Sequence, residues 1–293
     1  MVHVNDQLHT LLSEKNVGLA IYGIGIHHVE KNESFYMNGN ELFQQASIFK
    51  IPILLSLLRQ VDSNIIHLSN TITLSHKDVV PGSGVLKDLD YGITLTIKDL
   101  ATLMIIVSDN MATDQIINLV GLEQIQQDLI DWELNDTHIV LNTYELLCSS
   151  VGLSPDSYND KLIYRLDIKA FDHESPVFQT ETRTNTTTPR DMNNLLKKLV
   201  SGEILTEKNT AIALDILGRQ QLNHRIPALL ENDVKVMHKT GSLGPVINDT
   251  GILALPEHRS TLILSLFSKG NTSTLSAERA LSTISRLFVD DYL

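Results

Sequence analysis

Three short runs of residues in this sequence carry side chains that could cooperate in moving an acyl group. Ser47-Ile48-Phe49-Lys50 sets a hydroxyl and an amine three residues apart, just before the apolar run Ile51-Pro52-Ile53-Leu54-Leu55-Ser56-Leu57-Leu58 that reads as a helix. On a helix that spacing brings both side chains to one face. A serine hydroxyl is a poor nucleophile at neutral pH and needs a base. A lysine that is desolvated, or set beside another cation, gives up its proton readily enough to be that base. By itself the pair means little, because about one such match is expected by chance in a chain this long.

Downstream, in order, come Ser108-Asp109-Asn110 and Lys239-Thr240-Gly241. Ser108 falls where an apolar helix gives way to a loop, so its hydroxyl can face a cleft and pass a proton to a leaving group. Asn110 can offer its amide to a substrate. Lys239 and Thr240 suit an anionic group such as a carboxylate, Lys239 is a cation that could depress Lys50, and Gly241 allows a ligand close to the backbone. The amides of Ser47, at a helix start, and Ser242 could together form a two-donor oxyanion hole. His238 precedes Lys239 on a strand and points to the opposite face, which makes it a structural neighbour. Each run is common alone. Their order, each at the boundary of a suitable element, is not.

The elements that must hold these groups follow from periodicity. Leu8, Leu11 and Leu12 mark a helix near Asp6 to Lys15, residues 17–26 read as a strand, and a turn at residues 31–34 leads to a second strand at 34–37. The other end of the chain mirrors this, with strands over 234–239, 251–255 and 260–267, a turn at Pro256-Glu-His-Arg, and a helix over 275–288. Between them the pattern is helical. Thr96-Ile-Lys-Asp99 caps a helix over 100–107, another runs from Ala112 to Val120 and stops at Gly121, and Thr188-Pro189 opens a third. The expected fold is α/β of the α+β type. An antiparallel sheet from both chain termini is flanked by helices, and an all-helical subdomain is inserted in it. Residues 1–38 with 226–293 form the first subdomain, 39–225 the second, and the active site lies at their junction.

Bulk composition narrows the function. A net charge of −12 with scattered Lys and Arg excludes a nucleic-acid binder. The longest apolar runs are far too short to span a membrane, so no membrane partner is expected. The N-terminus lacks a basic region followed by an apolar one, so with Met1 as the native start the protein is expected in the cytoplasm. Cys148, the single cysteine, sits beside Leu146 and Leu147 and reads as a buried, unreactive thiol. Neither His27-His28 with Glu30 nor Asp172-His173-Glu174 has zinc-site spacing; no metal or cofactor is expected.

Serine–lysine, Ser-Asp-Asn and Lys-Thr-Gly in this order resemble the signature of the class A β-lactamases and penicillin-binding proteins. Gly82-Ser83-Gly84-Val85-Leu86, Thr186-Thr187-Thr188-Pro189, Arg225-Ile226 and Asn248-Asp249 extend the resemblance over nearly the whole chain. It implies an acyl-enzyme on Ser47, with Lys50, Ser108 and Lys239 around it and Asn110, Thr240, Gly241 and Ser242 holding a small-molecule substrate with a carbonyl and an anionic group. Besides the export signal that is not expected here, the chain departs from the family in two places. No Glu-x-x-Leu-Asn, which carries the deacylating base, lies between Ser-Asp-Asn and Thr-Thr-Thr-Pro; Glu145, Asp172 and Glu174 are the substitutes on offer. No Arg or Lys lies between Lys239 and Asp249 to meet a substrate carboxylate. The expected activity is therefore a serine hydrolase cleaving a β-lactam or other small amide. The alternatives are a carboxylesterase or transacylase, or a penicillin-binding sensor that is acylated without turnover. The long segment 122–185 either covers the cleft or decorates the surface.

Overall fold

The computed structural model describes residues 8, 11–12, 20–155, 160–180, 184–256 and 260–292 of the chain. Of the N-terminal helix only Leu8, Leu11 and Leu12 fall within this set, and they are helical; residues 17–19 of the first expected strand and 257–259 of the expected turn lie outside it.

In chain order the elements are β1 (Ile21–His28), β2 (Glu33–Met37), β3 (Phe43–Gln44), a 3-10 turn (Ala46–Phe49), α1 (Lys50–Asp62), β4 (Thr71–Thr73), β5 (Thr94–Thr96), α2 (Ile97–Ile106), α3 (Asn110–Val120), α4 (Leu122–Asp131), α5 (Thr143–Ser150), α6 (Asp160–Asp167), β6 (Thr186–Thr187), α7 (Pro189–Val200), α8 (Glu207–Gly218), β7 (Lys235–Leu243), β8 (Val246–Leu255), β9 (Ser260–Lys269) and α9 (Thr274–Tyr292). The main sheet has the order β2-β1-β9-β8-β7 and every pairing is antiparallel. The N-terminal hairpin thus joins the C-terminal meander through β1 and β9, with Ile24 opposite Leu266. Alternation sends Ile24, Ile26, Leu264 and Leu266 to one face, where they pack with Leu8 and with Ala277, Leu281, Ile284 and Phe288 of α9.

The helices pack on the other side around α1. Every residue from Lys50 to Leu58 is buried, which explains why this helix reads as an unbroken apolar run rather than a stripe. Pro52 is tolerated because it sits in the first turn, where the amide would lack an intrahelical partner. Thr96 and Asp99 cap each other's backbone amides at the start of α2, as the sequence predicts.

Two features differ from expectation. The inserted region is not purely helical: β3 pairs with β6 and β4 with β5 in two small ribbons, whose strands of two or three residues are too short to show a period. The strand expected over 234–239 also runs on past Lys239-Thr240-Gly241, to Leu243. Gly241, Ser242 and Leu243 continue β7 by pairing with Asn248, Ile247 and Val246, so the strand carries Ser242 along the cleft as well.

Candidate active site

Ser47 is the second residue of the 3-10 turn that leads into α1, and Ala46 before it takes a left-handed φ of 45°. β7 presses directly on this turn. A Cβ on Gly241 would stand 2.8 Å from the Gln45 carbonyl oxygen and 3.1 Å from the Ser47 nitrogen, so only glycine permits the approach. The close approach that Gly241 allows is therefore that of the Gln45–Ile48 backbone. Asn248 fastens the same contact from β8, its Nδ2 donating to the carbonyls of Gln44 and Gln45.

Lys50 is completely buried. Its Nζ donates to Ser108 O at 2.8 Å, Ser108 Oγ at 3.1 Å and Asn110 Oδ1 at 2.8 Å. Burial pulls its pKa down to about 7, against the opposing pull of Asp109 and Asp114. An amine poised there is close to half free base at neutral pH. In that form two N–H bonds still satisfy Ser108 O and Asn110 Oδ1, and the lone pair is free to accept a hydroxyl proton.

Ser108 bridges α2 and α3 with a left-handed φ of 57°, an uncommon conformation for serine that turns its hydroxyl to Lys50. Asp109 fixes the bend from below. One carboxylate oxygen caps α3 through the Ala112 amide, and the other accepts the Val85 and Leu86 amides at 2.7 and 2.9 Å. The Gly82–Leu86 loop is wrapped so tightly around it that a Cβ on Gly84 would overlap the carboxylate. Asn110 donates to Pro81 O while it accepts from Lys50, so it positions the amine as well as lining the cleft.

Lys239 and Thr240 lie buried on β7, and Lys239 Nζ donates to Thr240 O at 2.8 Å. Burial, then Lys50 and Arg225, hold the Lys239 pKa well below its usual value. Arg225 stands behind the strand. It donates to Gly241 O at 2.9 Å, to Asn248 O at 2.6 Å and to Ser242 Oγ, and it pairs with Glu278 at 3.2 Å. His238 points away from Lys239, to Asp249 and Asn223, as strand alternation requires.

Of these residues Ser47, Asn110 and Ser242 line a cavity of about 330 Å³, while Lys50, Ser108, Lys239, Thr240 and Arg225 are buried and not among its lining residues. Ser47 lies on its floor, with Gly82, Ser83 and Asn110 on one wall and Ser242, Leu243 and Gly244 on another. The third wall comes from segment 122–185: Thr143, Leu146 and Leu147 of α5, then Leu166, Lys169 and Phe171. Among the described residues no carboxylate lines the cavity. Glu145, half buried, accepts the Asn142 amide in a reciprocal helix cap, and Asp172 and Glu174 are exposed outside the cavity. Asp114, which the sequence reading missed, is a buried carboxylate one helical turn beyond Asn110. It accepts the Thr143 and Tyr144 amides at 2.7 and 3.0 Å and so anchors that third wall; burial raises its pKa. Cys148 is buried, and burial pushes its thiol pKa up. Among the described residues no group of three or more His, Cys, Asp or Glu stands close enough to hold a metal, and no helix is long and apolar enough to cross a membrane.

The family described as "Beta-lactamase enzyme family" matches residues 3–292, which is nearly all of the chain. The chain belongs to this family. It is a class A β-lactamase-like serine hydrolase, acting on the amide bonds of small molecules. It is similar to the β-lactamase VEB-1 of Pseudomonas aeruginosa, at 22% identity over 98% of this chain and 89% of that one. Among solved structures, a β-lactamase from Sphaerobacter thermophilus superposes with a TM-score of 0.81 at 26% identity, covering 97% of this chain and 95% of that chain. PBP-A superposes equally well, with a TM-score of 0.81 at 25% identity over 100% and 96% of the two chains. Arg225 was visible in the sequence only as part of a motif match. Its partners lie 16 and 23 residues away on two strands, so its place behind Gly241 needed the fold.

Proposed function

We propose that the cleft transfers an acyl group from a β-lactam or similar anionic amide to Ser47. The observation that carries this reading is the environment of Lys50: fully buried, hydrogen-bonded to Ser108 and Asn110, and with a pKa near 7. The substrate carbonyl sits over Ser47 with its oxygen toward the amides of Ser47 and Ser242, which stabilise the charge that develops there. Neutral Lys50 takes the Ser47 proton as Oγ bonds to the carbonyl carbon. The C–N bond then breaks. Ser108 gives its hydroxyl proton to the departing nitrogen and recovers one from the Lys50 ammonium, so the proton lost by Ser47 ends on the amine. Thr240, Ser242 and Lys239 hold the substrate carboxylate, with Arg225 behind them supplying the cation that the stretch from Lys239 to Asp249 lacks.

Removal of the acyl group is the slower half. Water attack on an ester at neutral pH needs a base, and no carboxylate lines the cavity among the described residues. That absence favours a second reading of the same site: a penicillin-binding protein or transacylase in which the acyl-enzyme persists until a better nucleophile arrives.

Intact-protein mass spectrometry after mixing with benzylpenicillin tests both. The expected result is an adduct on Ser47 that outlives its formation, and no adduct on Ser47→Ala. Labelling of the Ser47→Ala protein would overturn the nucleophile. Rapid turnover without a persistent adduct would overturn the slow second half. No reaction with benzylpenicillin, together with labelling by a fluorophosphonate, would move the reading to a different acyl substrate.

A further inference from the structure

One cation of the cavity has no part in the chemistry above. Lys169 is exposed, lies 122 residues from Ser47, and still lines the same cavity. It has a left-handed φ of 54°, and its neighbours fix it in the wall. Its own amide bonds to Leu166 O, Phe171 N bonds to Lys169 O at 2.9 Å, Ala170 N to Arg165 O at 2.8 Å, and Asp172 N to Ser150 O at 2.9 Å. Phe171 packs edge-on against Phe178, and both rings cover Gly244, where an added Cβ would meet them at 3.1 and 3.2 Å.

That contact places Lys169 along the cleft. β7 runs from Lys239 past Ser242 to Leu243, about 13 Å at roughly 3.3 Å per residue, and Gly244 beneath Phe171 lies just beyond. Among the described residues Lys169 is therefore the cation that lines the cavity, while Lys239 and Arg225 are buried along β7 and do not line it. The wall on the way to Lys169 is apolar, made of Leu146, Leu147, Leu166 and Phe171. The acids next to it in sequence do not enter the cavity; Asp172 turns to Gly152 and to the Glu174 amide. Among the described residues Lys169 makes no ion pair.

We infer that Lys169 is a specificity residue for dianionic acyl donors: one carboxylate on the amine side of the scissile bond, a second on the acyl side chain beyond an apolar body. This rests on the acyl-transfer reading above. An ammonium at the rim is hydrated, so its effect on discrimination is a few-fold rather than orders of magnitude, and salt weakens it.

Benzylpenicillin and carbenicillin differ by one carboxylate on the acyl side chain, and Ser47 acylation rates for the two give the test. The ratio of carbenicillin to benzylpenicillin is expected to fall about fivefold in Lys169→Gln, to fall further in Lys169→Glu, and to be retained in Lys169→Arg. In the unsubstituted protein the ratio is expected to drop as salt is raised. A ratio that stays within about twofold in both Lys169→Gln and Lys169→Glu overturns this inference alone. Failure of both penicillins to acylate Ser47 overturns the β-lactam reading above and this inference with it.

Discussion

The amide nitrogen of Ser47 lies so close beneath Gly241 that a methyl group on the glycine would stand 3.1 Å from it. The two proposed oxyanion donors, the amides of Ser47 and Ser242, are thus held at a separation set by one backbone contact. Gly241→Ala must push β7 away from the turn. A displacement near 1 Å in such a site costs on the order of 10²-fold in rate. Acylation of the alanine variant by benzylpenicillin, followed by stopped-flow or quenched mass spectrometry, is expected to slow by that order. Thermal unfolding of the same variant separates a local displacement of β7 from loss of the fold. An unchanged acylation rate would show that the contact does not set the donors.

Lys50 gives a pH dependence with a definite sign. With a pKa of about 7, its free-base fraction rises from roughly one-tenth at pH 6 to roughly nine-tenths at pH 8. The acylation rate is expected to climb through the same limb. Lys50→Arg keeps the charge and removes the base, so it should abolish acylation at every pH. A flat profile between pH 6 and 8 would exclude Lys50 as the base. Linkage runs the same way. A lysine pKa depressed in the folded state means that the unfolded chain binds more protons, so the Lys50 penalty is present in full below about pH 7 and is relieved as pH rises toward 10.5.

Asp109 accepts three backbone amides, from Ala112, Val85 and Leu86. Asp109→Ala leaves all three without a partner in a buried site. At roughly 1 kcal/mol each, the loss is about 3 kcal/mol, or several degrees in melting temperature. The Gly82–Leu86 loop forms one wall of the cavity, so acylation should fail before the fold does. Calorimetry and acylation on the same preparation separate the two effects. Full stability in the variant would mean that the loop finds other partners.

What the sequence made legible, and what it hid, follows the range of the interactions. Ser47, Lys50, Ser108 and Asn110 stood out because each lies at a helix boundary, and the structure brings Lys50 to Ser108 and Asn110 directly. Glu145 was offered as a base, yet Asn142-x-x-Glu145 is also a capping pattern, and capping is the role the structure gives it. Asp114 could have been found as the i+4 neighbour of Asn110 on the same helix face. Arg225 and Lys169 could not. Each comes from a segment with no periodic tie to the site: the pairing of β7 with β8 sets Arg225 behind Gly241, and the packing of Phe171 on Gly244 brings Lys169 to the cavity.

Lys239 supplies a last prediction, because the surroundings that suppress its charge are those an anionic ligand would reverse. It is fully buried, with Lys50 and Arg225 nearby, and its pKa lies well below the usual lysine value. A carboxylate beside Thr240 and Ser242 would favour the ammonium and raise that pKa. Binding should therefore draw a proton from solvent, and by linkage the affinity for the anion should fall as pH rises. The Ser47→Ala protein isolates binding from chemistry. Titration calorimetry of benzylpenicillin in buffers of different ionisation enthalpy is expected to show net proton uptake, and Lys239→Met should remove most of it. Binding with no proton uptake would mean that Lys239 is already charged in the empty cleft, or that the carboxylate rests elsewhere. Uptake that survives in Lys239→Met would assign it to Lys50, the other buried amine within reach of the same field.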